Sequence, residues 1–325
     1  MDCQGDSAKR ERRFNSRSYA NEVAEGIDLS NRTVLITGTT NGIGTETAKV
    51  LAQRGAHIVM ANRNMELAEK VRQEILEIAP NAKIDLLKLD LTSLESVKQC
   101  ADEYLKSNWP LHILILNAGI IGATDAATKD GYSTIFAVNH LAHFYLTLLL
   151  MEKLVQSAPA RVVVLSSASH RQTVMSTSGT VEEKLASLVL EPSTKAPQIV
   201  QYGRSKLCNV LFGFKLHREL NDKGVNVNVV HPGAMIATGI FKPYGVLGKI
   251  AQTLTKPFVK NINQGAACSV YCAIHPDLDK VSGRYFESCW DDDSYLAKAF
   301  AEDEALQDAL WVKSIELIEK AGFTM

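Results

Sequence analysis

Thr33-Val34-Leu35-Ile36-Thr37-Gly38-Thr39-Thr40-Asn41-Gly42-Ile43-Gly44 joins a β-branched, apolar run to three glycines. The run over 33–37 predicts a strand, and the helical spacing of apolar positions over 42–54 predicts a helix directly after it. Glycines at such a junction let the backbone turn sharply and let a pyrophosphate approach the N–H groups at the helix start. The last of them, Gly44, leaves room for the helix to pack on the strand. Glycines also serve tight turns for conformational reasons alone. Their place between a first strand and a first helix is what points to a nucleotide.

Outward from this junction the alternation continues. Residues 57–61, 84–89, 111–116, 161–166 and 225–230 read as strands, and 65–78 and 94–105 as amphipathic helices, the first stopped by Pro80. Strands that are apolar almost throughout, separated by helices, predict a parallel sheet covered on both faces. The expected fold is therefore α/β, a single doubly wound, Rossmann-like domain over 31–325 that follows a polar N-terminal extension, 1–30. Two stretches break the pattern: 169–198, rich in Ser, Thr and Pro, and 234–258, which holds Pro243, Pro257 and several glycines. Both follow strand ends on the carboxyl side of the sheet and are expected to be substrate-side loops.

The 325 residues, 46% hydrophobic, suffice for a large core, and 35 basic against 36 acidic residues give no reason to expect a nucleic acid as partner. Six cysteines lack a disulfide or zinc spacing, so buried free thiols and a reducing, cytoplasmic setting are expected, with no metal. The N-terminus carries Lys9, Arg10, Arg12 and Arg13 without the apolar core of a signal peptide. That cluster reads as a solvated tail, a targeting signal or a contact for phosphate. Apolar runs such as 111–116 are too short to span a bilayer, so no transmembrane segment is expected.

The strongest local signal for chemistry is Tyr202-Gly203-Arg204-Ser205-Lys206. Residues four apart share a helix face, so the phenol and the ammonium point the same way. A neighbouring ammonium favours the phenolate and would bring the tyrosine closer to neutrality as an acid or base. Ser166-Ser167, at the end of the fifth strand, and Asn139, polar among Ile135, Phe136, Val138 and Leu141, are the companions that give this pair weight. A satisfied core amide is the plainer reading of Asn139. The histidines at 112, 140, 143, 170, 231 and 275 lack a metal-binding context and read as structural.

Together these segments resemble the short-chain dehydrogenase/reductase family over roughly 33–286. The turn matches its TGxxxGxG motif, and Asn117-Ala118-Gly119 and Pro232-Gly233 match two further turns. Within the family, Ala61-Asn62-Arg63-Asn64-Met65, Val138-Asn139-His140-Leu141-Ala142-His143 and the 35-position interval from Ser167 to Tyr202 resemble WW domain-containing oxidoreductases and retinol dehydrogenases. No tryptophan precedes Trp109, so WW modules are not expected, nor is an N-terminal anchor.

The resemblance implies Asn139, Ser167 (with Ser166 as fallback), Tyr202 and Lys206 as the catalytic set. It implies Gly38, Asn41, Gly42, Ile43, Gly44, Arg63, Asp90, Leu91, Asn117, Ala118, Gly119, Tyr202, Lys206, Pro232, Gly233 and, at a spacing one residue too long, Thr238 as cofactor contacts. Members that prefer NAD place an acid near position 62. Here Asn62 is followed by Arg63, which can hold a 2′-phosphate, so NADP(H) is favoured and NAD(H) stays possible. Arg63 can also be read as a solvated residue at a helix start. The expected reaction is hydride transfer on an apolar ketone, aldehyde or alcohol, such as a retinoid or steroid. Met235, Ile236, Ile240, Phe241, Val246 and Leu247 suggest the apolarity, unless they merely pack a core. The competing reading is a cofactor-binding scaffold with vestigial catalysis. A homodimer or tetramer through the helices carrying Asn139 and Tyr202 is also implied.

Overall fold

A computed structural model describes residues 11–233, 261–291 and 293–324. Seven strands form one all-parallel sheet: β1 (Thr33–Thr37), β2 (His57–Asn62), β3 (Ile84–Lys88), β4 (Ile113–Leu116), β5 (Ala160–Leu165), β6 (Val225–His231) and β7 (Arg284–Glu287), in the order β3-β2-β1-β4-β5-β6-β7. Every residue of β1, β2 and β4 is buried, as a central strand covered on both faces requires. The sequence reading missed β7, a four-residue strand with only two fully buried positions. A strand that short carries almost no periodicity of its own, and pairing with β6 is what makes it one.

Helices cover both faces. On one side lie α1 (Ala20–Val23), α2 (Gly42–Gln53), α3 (Met65–Ile78) and α8 (Ile262–Ile274), whose buried side chains include Leu51, Ile75 and Tyr271. On the other lie α4 (Leu94–Lys106), α5 (Thr134–Gln156), α7 (Gln198–Leu220) and α9 (Glu304–Lys320), with Tyr104, Phe144 and Leu211 in their core. Caps fix several starts. The Asn64 side chain accepts from the Leu67 N–H, and Asn261 and Gln264 satisfy each other's backbone at the head of α8.

Two expectations need correction. Although 1–30 is polar, its last part belongs to the core: Ala20, Val23, Ala24 and Leu29 are buried against the α2/α8 layer, and the Asn263 side chain accepts from the Ala20 N–H at 2.7 Å. The stretch 169–198 is not all loop, because Thr180 and Glu183 form a capping box that starts α6 (Val181–Leu188). The stretch 234–258, with its apolar cluster, lies outside the described residues.

Among the described residues one helix, α5, is long and apolar enough to cross a membrane, but 83% of its most apolar window is buried inside the molecule, as a core helix would be. Its face around Phe144, and the facing part of α7 around Phe212, are covered by α9. Trp311 packs edge-on against Phe144 at 5.0 Å, and Ser314 bonds His140 at 3.1 Å. Tyr132 and Tyr145 tie down the end of the chain through the carbonyls of Leu317 and Thr324. The expected pairing of copies through α5 and α7 therefore meets, on this face, a surface the chain already occupies.

Two imidazoles in α5, His140 and His143, are fully enclosed, and burial pushes both down to about 3 from the ordinary 6.5. An unfolded chain takes up those protons near pH 6.5, so it binds more protons than the folded chain between that pH and about 3. Stability is whole above this window and falls as pH drops through it, by about 1.4 kcal/mol per pH unit for each ring. Urea unfolding at pH 7.5 and 5.0 should register the loss, and His140→Gln should make the slope shallower. Equal stability at both pH values would contradict this account.

Candidate active site

The strand order reverses between β1 and β4, and a crevice opens at their carboxyl ends. A set of hydrogen bonds fixes its floor. The Asn117 side chain donates to the carbonyls of Thr37 (2.8 Å) and Gly38 (2.9 Å), while the Thr37 hydroxyl accepts from the N–H groups of Asn117 (3.0 Å) and Ala118 (3.1 Å). With both acceptor positions used, the Thr37 proton goes to His143 Nε2 at 2.9 Å, which leaves His143 Nδ1–H to donate to the Asn139 carbonyl at 3.3 Å.

The glycine turn fits a pyrophosphate. Gly38 and Gly42 have φ of +72° and +63°, a region that favours glycine. A Cβ on Gly44 would lie 2.2 Å from the Gly38 carbonyl oxygen and 2.4 Å from Asn117 Nδ2, so only glycine lets α2 start this close to β1 and β4. Asn41 is exposed at the N-cap of α2 with its side chain unused in capping, beside Ile43. The first N–H groups of this twelve-residue helix are thereby presented to the crevice.

Asn62 does something the sequence did not suggest. It is buried, accepting from the Thr39 N–H at 2.6 Å and donating to the Thr39 hydroxyl at 2.8 Å, so it braces the glycine turn. Arg63 beyond it is exposed, and its carbonyl accepts from the Lys88 ammonium, which brings a second cation to the end of β2. Asp90 folds back on Thr92, accepting from its N–H (3.0 Å) and hydroxyl (2.7 Å), with Leu91 buried beside it. Pro232 and Gly233 follow β6, Gly233 with φ of +112°. Thr238 lies outside the described residues.

The second half of the crevice holds the other candidates. In α5 the segment Ala137–Leu141 is a π-turn, a form often met at functional sites, and it carries Asn139. Asn139 is fully buried: Oδ1 accepts from the Ile120 N–H (2.8 Å), and Nδ2 donates to the Ile120 carbonyl and the Ser205 hydroxyl, both at 2.9 Å. Ser205 in turn donates to the Tyr202 carbonyl at 2.8 Å, so Asn139 fixes the turn of α7 that presents Tyr202. Ser205 stood inside the Tyr202–Lys206 motif, but which neighbour its hydroxyl would meet is a tertiary fact.

Adjacent residues leaving β5 point opposite ways, which separates the two serines. Ser166 is buried and donates to the Lys206 carbonyl at 2.8 Å, whereas Ser167 is partly open and near enough to the Tyr202 phenol to act on its proton. Ser167 is therefore the serine that faces the cleft. Lys206 Nζ donates to the Leu165 carbonyl at 3.1 Å and lies 5.7 Å from the centroid of the Tyr202 ring. A Cβ on Gly119 would be 3.2 Å from that Nζ and 3.3 Å from Asn139 Oδ1, so the Asn117–Gly119 turn meets Lys206 and Asn139 at a residue without a side chain.

Burial pushes Lys206 down to about 8. It pushes the Tyr202 phenol up, with the Ser167 hydrogen bond pulling the other way. The lowering expected from Lys206 is not among the influences on the phenol, of which enclosure is the largest.

Among known proteins, the short chain dehydrogenase family matches residues 32–179. WW domain-containing oxidoreductase of Gallus gallus is 44% identical over 310 residues, covering 95% of this chain and 73% of that one. Retinol dehydrogenase 12 of Mus musculus is 37% identical over 292 residues, covering 90% and 88%. Among solved structures, the RhlG/NADP active-site complex of Pseudomonas aeruginosa superposes with a TM-score of 0.62, at 22% identity, over 80% of this chain and 95% of its own. A glycine turn at the sheet's switch point, the Asn139–Ser205–Tyr202 bracing and these relatives agree: the chain belongs to the short-chain dehydrogenase/reductase family.

Proposed function

We propose that this oxidoreductase moves a hydride between NADP(H) and an apolar alcohol/carbonyl pair. What carries the reading is one arrangement: Lys206 lies 5.7 Å from the centroid of the Tyr202 ring and beside Gly119 of the Asn117–Gly119 turn, with Ser167 near enough to the phenol to act on its proton. The nicotinamide, when bound, supplies or accepts the hydride. This chain's residues handle the proton. A phenol pushed up by burial keeps its proton at neutral pH and can donate it to a substrate oxygen polarised by Ser167. Lys206 is the cation that stabilises the phenolate left behind, and its lowered pKa lets it pass a proton on. Asn139, meeting Lys206 at Gly119, frames the route by which that proton is exchanged.

Two cations at the end of β2, Arg63 and Lys88, with no carboxylate at position 62, favour the 2′-phosphate of NADP(H) over a free ribose hydroxyl. Ile199 is 49% exposed one turn before Tyr202 on the same face of α7, which suits an apolar substrate. The retinol dehydrogenase relative points the same way. Five described cysteines are buried thiols in no disulfide, in keeping with a reducing compartment such as the cytoplasm. An association of copies would need a face other than the one α9 covers.

Tyr202→Phe should lower kcat by about two to four orders of magnitude for NADPH-dependent reduction of decanal or retinal. NADPH binding, followed by quenching of tryptophan fluorescence, should be unchanged. Full turnover in this variant would remove Tyr202 from the chemistry. Arg63→Asp should weaken NADPH binding by about tenfold to a hundredfold and leave NADH binding nearly as it was. Equal weakening of both cofactors would assign Arg63 no part in reading the 2′-phosphate.

A further inference from the structure

Ser167 sits where β5 ends and a turn of 3₁₀ helix, Ala168–Arg171, begins, and its backbone is extended with φ −155° and ψ 155°. The peptide that follows it is gripped from both sides by imidazoles. Its oxygen, the Ser167 carbonyl, accepts from His170 Nδ1 at 2.6 Å. Its nitrogen, the Ala168 N–H, donates to His231 Nδ1 at 3.3 Å. The two rings come from different parts of the chain: His170 from the turn itself and His231 from the last residue of β6.

The hydrogen bonds fix the tautomers. His170 Nε2 accepts from the Ala297 N–H at 3.2 Å, so the ring's proton is on Nδ1, where it donates to Ser167. His231 accepts at Nδ1, so its proton is on Nε2, on the side of Glu287, 4.0 Å away across the β6–β7 pair. Both rings are buried, and burial pushes His170 down to about 4, so it is neutral at working pH. His170 also stacks near Tyr285 of β7, with centroids 5.2 Å apart.

The consequence for the serine runs through the next residue. With the 167–168 peptide held, the Ser169 N–H stands 3.2 Å from the Ser167 hydroxyl oxygen and donates to it. That bond takes one acceptor position of the hydroxyl and sets its rotamer, leaving its O–H and its other lone pair for Tyr202 and a substrate oxygen. The turn is close-packed from behind as well, since a Cβ on Gly203 would lie 2.6 Å from the Ser169 carbonyl oxygen. Displacement of the turn as a whole would thus meet α7.

We infer that His170 and His231 are positioning residues that clamp the Ser167–Ala168 peptide and thereby aim the Ser167 hydroxyl at the substrate oxygen. The inference rests on the reading of Ser167 given above. An effect on the chemical step, rather than on binding, follows, because a displacement on the order of 1 Å in a polarising group can cost about a hundredfold in rate.

Substitution can separate the clamp from plain structural support. An asparagine places its amide near where the Nδ1 of histidine stood, whereas a glutamine reaches toward the Nε2 position. His170→Asn and His231→Asn keep the bond to the peptide; His170→Gln and His231→Gln lose it, and His170→Gln keeps the bond to Ala297 instead. With the full chain, NADPH and decanal, the Gln variants should lose about tenfold or more in kcat, with KM and NADPH affinity within about threefold of the parent. The Asn variants should stay within about threefold in kcat. Amide exchange of a peptide covering 167–169 should be faster in the Gln variants alone, a readout that needs no turnover.

Equal kcat and equal exchange in the Asn and Gln members of each pair would overturn the clamp. Rescue of His170 by Gln rather than Asn would also overturn it, and would assign that ring to holding Ala297. Each histidine gives its own pair, so failure of one variant to fold leaves the other pair decisive. Ser167→Ala keeps the two ideas apart. If it turns over normally, the reading of Ser167 falls while the exchange data still judge the clamp. If it is inactive and the Gln variants match the parent in both kcat and exchange, the clamp alone falls.

Discussion

The seam between the carboxyl ends of β1 and β4 is the constraint on which the rest of the molecule depends. Thr37 accepts two backbone N–H groups from the facing turn, and Asn117 answers with two bonds to the carbonyls of Thr37 and Gly38. Parallel strands diverge at this point because the chain leaves β1 in one direction and returns for β4 in the other, and without these bonds several buried polar groups would lack partners. Each such group costs about 1–3 kcal/mol when stranded. Closing the seam with short side chains keeps the crevice open above it and leaves Gly44 no room for a Cβ.

From this seam the site is built in two halves that share side chains. Thr37 reaches His143, His143 reaches the carbonyl of Asn139 in the π-turn, and Asn139 reaches Ser205 beneath Tyr202. The glycine turn and the helix carrying Tyr202 are thus joined by consecutive hydrogen bonds through the core. Buried polar networks of this kind, with their members satisfied, specify one arrangement over its alternatives. The same logic recurs on the far side of Tyr202, where His170 and His231 meet the backbone beside Ser167.

The C-terminal helix α9 adds a different kind of constraint. By laying Trp311 against Phe144 and Phe212 it completes the core of the two helices that carry Asn139, Tyr202 and Lys206. Burying a large side chain of this kind contributes about 1.5–3 kcal/mol. The helix thus stiffens the platform under Asn139 and Tyr202 from within a single chain. It also explains why the long apolar pattern of α5 belongs to a core helix and not to a membrane.

Much was legible in the sequence because it is written locally. Strand runs buried on both faces, amphipathic helices with Asn64 and Pro80 as their limits, and a glycine spacing set by close backbone approach all leave their mark on neighbouring residues. So does the spacing of Tyr202 and Lys206 on one helix face, because four residues make about one turn. Tertiary structure alone decided the rest. It made a strand of 284–287 through pairing with β6, drew Ala20 and Val23 into the core, and turned Ser167 rather than Ser166 to the cleft. Asn62 became a brace for the glycine turn, and three histidines read only as structural found specific backbone partners at Asn139, Ser167 and Ala168. The physical reason is common to all of these. A side chain's hydrogen-bond partner, and the enclosure that pushes Tyr202 up and Lys206 down, come from residues distant in sequence, and no local pattern records them.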